Sequence, residues 1–184
     1  MLLDKNKYLV LKEFIGKNKG IHGSLIAKEN SLNQKTVSNI LKSLEKENIL
    51  KFKTEGKNKI YSLNRDEIEN KEILKIIEIE KKKDFLKKNM KFKSLFSKLE
   101  QISKGILIIF GSYAKGINKI GSDLDILIMG NIQDIDKLEE SFGIEINVIN
   151  MKKNKFDLKE NFVKEIVRNH IVLKNVEDFV DLIW

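Results

Sequence analysis

Cysteine and proline are absent from these 184 residues, and histidine occurs twice, at His22 and His170. Without cysteine there is no disulfide scaffold, no thiol nucleophile and no thiolate-held zinc, and two distant histidines do not build a His-rich metal site. Any metal must therefore rest on carboxylates. No apolar run approaches the roughly 18 residues of a membrane span. The first ten residues carry Asp4, Lys5 and Lys7 among apolar ones and lack the uninterrupted core of a signal peptide. We expect a soluble, cytoplasmic protein with no membrane partner.

What is present is charge, at 34% of residues, beside 41% hydrophobic residues, enough apolar content to bury cores and argue against global disorder. The length suits one large or two small domains, and the charge favours two. The net charge of +8 divides into +7 for residues 1–64, +3 for 65–101 and −2 for 102–184. A basic N-terminal third beside an acidic C-terminal segment, 102–184, points to a polyanion such as nucleic acid at one end and different work at the other, although a Lys-rich solvated face gives the same count.

The N-terminal third reads as three helices and a hairpin. Tyr8, Leu11, Phe14 and Ile15 recur at helical spacing from Lys7 to Ile15, and Gly16, Asn18, Lys19 and Gly20 end that helix. Ser24 can cap a short second helix. A third runs from about Gln34 to Asn48, burying Val37, Ile40, Leu41 and Leu44 and presenting Lys35, Thr36, Ser38, Asn39 and Lys42 outward. Lys reaches phosphates, and Asn, Ser and Thr can hydrogen-bond base edges. Strands over 49–54 and 59–63 flank Glu55, Gly56, Lys57 and Asn58, a basic tip that adds Lys57 and Lys59. The segment "SLIAKENSLNQKTVSNILKSLEKENILKFKTEGKNKIYSLN" resembles the winged helix-turn-helix of prokaryotic transcription regulators. The resemblance covers residues 1–64 and implies duplex DNA as partner; protein contact or dimerisation is the alternative use. His22 reads as a solvated loop residue.

A helical connector is expected over 65–83, its isoleucines forming a dimer seam or a rest for the first domain and its Lys81, Lys82, Lys83 triplet a solvated break. Phe85, Phe92, Phe96 and Leu99 then mark a helix packed on the core of a second domain, 84–184.

That domain carries the chemistry. Gly105 to Phe110 is a short apolar run suited to a buried strand, and it ends at Gly111 and Ser112. Backbone N–H groups and a hydroxyl at such a turn can face a triphosphate. The next strand, Ser122 to Met129, sets Asp123 and Asp125 on one face, Cα atoms about 7 Å apart by strand rise. Carboxylates so placed repel one another and are held by cations; Mg²⁺ is commonly bound by one or two carboxylates plus substrate phosphates. An ordinary N-cap for Ser112 and a strand-edge cap for Asp123 are the bland alternatives.

The stretch "FGSYAKGINKIGSDLDILI" is similar to the signature of the nucleotidyltransferase superfamily related to DNA polymerase beta, most closely its minimal prokaryotic members. The resemblance covers about residues 84–184 through Gly111, Ser112, Asp123 and Asp125, with Lys115 standing where Arg is commoner. It implies a small mixed sheet, nucleotide binding by Gly111, Ser112 and Lys115, Mg²⁺ (or Mn²⁺) on Asp123 and Asp125, and a third acid on a later strand. In Gly143 to Ile149 the alignment puts Asn147 near that place and leaves Glu145 one pleat away as the substitute catalytic and metal-binding acid. Helices are expected on one sheet face, with the acids on the other around an open cleft. A helix over 161–169, a short strand at 171–173 and a last helix from Val176 follow, with His170 taken as packed or exposed rather than catalytic and Trp184 as a core anchor or a partner contact.

The expectation is thus an α+β chain: winged helix-turn-helix, connector and nucleotidyltransferase domain. Its function would be Mg²⁺-dependent transfer of a nucleoside monophosphate from NTP to an acceptor hydroxyl, directed or autoregulated through DNA. A second reading is a DNA-binding regulator or antitoxin-like protein whose transferase fold binds nucleotide, or a protein such as a toxin partner, without turnover. A homodimer fits either.

Overall fold

The computed structural model describes residues 3–17 and 19–184; Met1, Leu2 and Asn18, the last in the turn expected after the first helix, lie outside the described residues. The chain divides into two compact units, residues 1–77 with Trp184, and residues 78–183.

In the first unit Asp4 starts α1 (Lys5–Leu11) by accepting from the N–H groups of Asn6 and Lys7, and the helix tightens into a 3₁₀ turn over Lys12–Phe14. The apolar spacing alone predicts one helix over 7–15. Next come β1 (Ile21–His22), α2 (Gly23–Glu29), α3 (Gln34–Lys46), β2 (Leu50–Glu55) and β3 (Asn58–Leu63). Ser24 does not cap α2, which begins at Gly23, two residues earlier than a Ser24 cap would place it, with His22 at the N-cap and no side-chain capping bond, whereas Asn33 caps α3 through the Lys35 N–H at 2.8 Å. The three strands pair antiparallel in the order β1-β3-β2, with Glu55 opposite Asn58 across Gly56 and Lys57. Leu11, Phe14, Ile26, Leu41 and Leu44 are almost wholly buried. Each contributes roughly 2 kcal/mol of burial, which is what holds three short helices together. Trp184 offers its ring to the charged groups of Arg65 and Lys71, 5.5 and 5.7 Å from the centroid.

Helix α4 (Asn70–Lys88) runs through both the expected connector and the domain boundary after it, and the division between units falls at Ile77/Glu78. The Lys triplet is no break. Lys81 pairs with Glu78, Lys82 with Glu100, and Lys83 with Glu80, all within the second unit, and the break comes instead at Asn89. Then follow α5 (Lys93–Ile102), β4 (Ser103–Ile109), α6 (Gly111–Lys115), β5 (Leu124–Ile132), α7 (Ile135–Phe142), β6 (Ile146–Asn150), α8 (Asn161–Arg168), β7 (Ile171–Lys174) and α9 (Val176–Ile183). The sheet order is β6-β5-β4-β7; β5 and β6 are parallel, and the other pairs antiparallel. One face buries Leu107, Ile109, Leu124, Ile126 and Ile146 against Phe85, Phe96, Leu99 and Leu138.

The other face is not left open. Ile106, Ile108, Leu127, Met129 and Val172 are buried there, with α9 against β4 and β7. Helices therefore cover both faces, and the acids occupy the uncovered end of one. Among the described residues no helix is long and apolar enough to cross a membrane.

Candidate functional site

The site is built where β4 ends and β5 begins. Phe110 continues β4 in extended conformation, and its N–H donates to the Asp125 carbonyl at 3.0 Å. The chain then turns into α6 at Gly111 with φ +68°. A Cβ at Gly111 would collide with the Asp125 carboxylate, so this close approach requires glycine. Gly116, at φ +69°, ends the helix, and the loop returns to β5.

Leu124 and Ile126 point into the core, fully buried, and leave exposed Asp123 and half-buried Asp125 on the outward side of the strand. Asp123 immediately precedes β5, two residues later in strand entry than expected. Pairing with β6 fixes what stands beside them. Leu124 is opposite Ile146, and Asp125 is opposite Asn147, whose Nδ2 donates to Asp125 Oδ1 at 3.2 Å. The Leu124 N–H bonds the Glu145 carbonyl at 2.8 Å. The same register sets exposed Glu145 beside Asp123, one pleat from Asp125.

Asp123, Asp125 and Glu145 do not converge: among the described residues no group of three His, Cys, Asp or Glu side chains could hold a metal ion. The physical reason is the register, which gives the place across from Asp125 to Asn147. What the structure brings together is Asp125 and the Asn147 amide, with Asp123 two residues away on the same strand face; carboxylates and an amide are oxygen donors of the kind a hard cation accompanied by a phosphate takes.

Ser112 is half-buried beside Gly111. Lys115 pairs with Glu165 on α8 at 2.8 Å, and this hydrogen bond and charge hold the exposed Glu165 carboxyl below its ordinary value. Tyr113 is buried in the core. Desolvation pushes its phenol up, a hydrogen bond with Asn118 opposes that, and the Asp123 charge adds to it.

His170 is buried, and its surroundings could not be read from the sequence. Its Nε2 lies 3.1 Å from Glu78 Oε1, Lys81 Nζ lies 2.9 Å from Glu78 Oε2, and Phe179 packs on the ring. Burial would raise the Glu78 carboxyl, but the charges of His170 and Lys81 outweigh it and hold Glu78 at about 2.

In the first unit, Lys35, Ser38, Asn39 and Lys42 on α3 and Lys57 and Lys59 on the hairpin are exposed, with Thr36 half-buried. Lys59 Nζ lies 3.4 Å over the Phe52 ring and 3.3 Å from Glu45. Ser24, Gln34, Ser38, Lys42, Lys59 and Tyr61 line a shallow cavity of about 310 Å³ between α2, α3 and β3.

Residues 89–173 match the nucleotidyltransferase domain family. No curated protein matches the chain. A solved structure described as a toxin-antitoxin with AMP-PNP matches 50% of this chain and 78% of its own, at 15% identity and a TM-score of 0.37.

Proposed function

We propose that the second unit transfers a nucleoside monophosphate from NTP to an acceptor hydroxyl, forming the new bond at the α-phosphorus as the α–β anhydride breaks and pyrophosphate leaves, and that residues 1–64 form a winged helix-turn-helix that binds duplex DNA. The transferase reading is carried by one observation: the Asp125 carboxylate lies directly on Gly111, which joins the expected phosphate turn to the expected metal acids within a domain that matches the nucleotidyltransferases. Asp123 and Asp125 would hold Mg²⁺ or Mn²⁺, whose charge offsets that of the triphosphate and favours in-line displacement. Gly111 and Ser112 donate to the phosphates through backbone N–H and hydroxyl. Lys115 reaches them by leaving Glu165. Glu145, exposed beside Asp123, is the acid available to take the acceptor proton, which the neutral Asn147 cannot do.

Asn147 opposite Asp125 favours a second reading, in which nucleotide or a protein partner binds without turnover. Titration calorimetry with Mg²⁺ and each NTP, on the parent chain and on Asp123→Asn/Asp125→Asn, tests the binding site. Label transfer from each NTP to the chain itself, to DNA or to added protein tests turnover. Transfer by the parent and none by the double variant supports the enzyme; metal-dependent binding without transfer supports the second reading; equal NTP affinity in both forms refutes the metal site. For the first unit, the outward lysines, the grooved face and the three-stranded sheet support DNA binding, and gel shifts with duplex DNA at low salt are the check.

A further inference from the structure

The β4–α6 corner carries an aromatic surface that the transfer chemistry leaves unused. Phe110 stands two residues after Ile108 along extended backbone, so its ring rises from the face that carries Asp125, and Gly111 is its immediate neighbour. Against it, centroids 6.1 Å apart and planes at 88°, sits Phe162 of α8. Phe162 is 43% exposed, a large aromatic surface left to water.

Its surroundings fix it in place. Val163, Ile166 and Val167 anchor α8 by burial, and Phe162 and Glu165, one turn apart, both reach the corner, Glu165 through Lys115. A partly exposed ring set perpendicular to one neighbour is a preorganised surface for a second flat group. The flat group that arrives at this corner attached to phosphates is a nucleobase. Resting on the transferase reading, we propose that Phe162, backed by Phe110, is the platform on which the base of the bound triphosphate stacks. Every base has a π-face, so the platform favours nucleosides over bare phosphate while discriminating weakly among them.

The test measures binding in Mg²⁺ of ATP, CTP and inorganic tripolyphosphate by the parent chain, Phe162→Ala, Phe162→Leu and Phe162→Tyr, with circular dichroism as the check on folding. Expected is an ATP affinity about tenfold above that of tripolyphosphate in the parent. That advantage should be lost in Phe162→Ala, largely lost in Phe162→Leu, which keeps apolar contact with Phe110, and kept in Phe162→Tyr. Tripolyphosphate should bind all four alike. If tripolyphosphate binds and Phe162→Leu retains the full ATP advantage, the platform is refuted and the phosphate and metal site stands. If the parent binds neither tripolyphosphate nor NTP, the transferase reading falls and the platform with it.

Discussion

Replacing Gly111 by alanine asks two things of the corner at once, and Gly116 separates them. Both glycines are left-handed, at φ +68° and +69°, but a Cβ at Gly116 meets nothing within 4 Å, whereas one at Gly111 runs into Asp125. The left-handed backbone costs an alanine about 1–2 kcal/mol, and reduced freedom of the unfolded chain returns about 0.4–1 kcal/mol. Gly116→Ala should thus lose about 1 kcal/mol, near 4–8 °C for a unit of about this size. Gly111→Ala carries the same loss and must also turn the Asp125 carboxylate away, breaking its bond from Asn147, worth about 1 kcal/mol more. The functional contrast is larger: Gly116→Ala should keep metal-dependent NTP binding and Gly111→Ala should abolish it. Urea unfolding followed by circular dichroism, with calorimetry for NTP and Mg²⁺, measures both. Two variants equal in stability and in NTP affinity would falsify the contact between Gly111 and Asp125 as the centre of the site.

Asn147→Asp should raise Mg²⁺-dependent NTP affinity about tenfold, because an acid then faces Asp125, and should lower the metal-free melting temperature through like-charge repulsion; no change in either measurement counts against the register argument. Glu78→Gln should destabilise the second unit by about 3 kcal/mol by leaving His170 and Lys81 without their buried anion. The pH dependence follows from the lowered Glu78 carboxyl: its contribution is complete above about 4.5 and is lost as pH falls toward about 2, so parent and variant should converge in acid unfolding across that window. An undiminished gap there would refute the assignment. Alanine at Lys35, Lys57 and Lys59 together should lower the slope of log affinity for duplex DNA against log salt by up to about 2.7, at 0.9 for each phosphate no longer neutralised; an unchanged slope would place DNA elsewhere.

The second unit's strands and helices were legible because their signals are local: an apolar run stopped by Gly111 and Ser112, and apolar residues alternating with Asp123 and Asp125. The third position was not. Whether Glu145 or Asn147 stands across from Asp125 depends on the register of two parallel strands, and parallel pairing leaves no turn between the strands to read. The same distance in sequence hid the Lys115–Glu165 and Phe110–Phe162 contacts and the company of His170, whose anion comes from a helix 92 positions earlier. The coverage of the second sheet face also escaped the motif, since burial of Leu127 and Met129 is decided by α9 and its neighbours rather than by β5. In the first unit, β1 spans Ile21–His22, too short for any periodicity to declare itself.

The amide that Asn147 extends to Asp125 alters the order in which this corner can be assembled. Three facing carboxylates would strain against one another until a cation came, tying the maturation of the domain to ion supply. Here a neutral donor already satisfies one oxygen, so newly made protein can reach its finished shape in the presence of a chelator, and its melting temperature should be indifferent to EDTA. On the proposed function, metal would then enter as a companion of the triphosphate rather than as a prerequisite of folding, and its occupancy would follow nucleotide concentration.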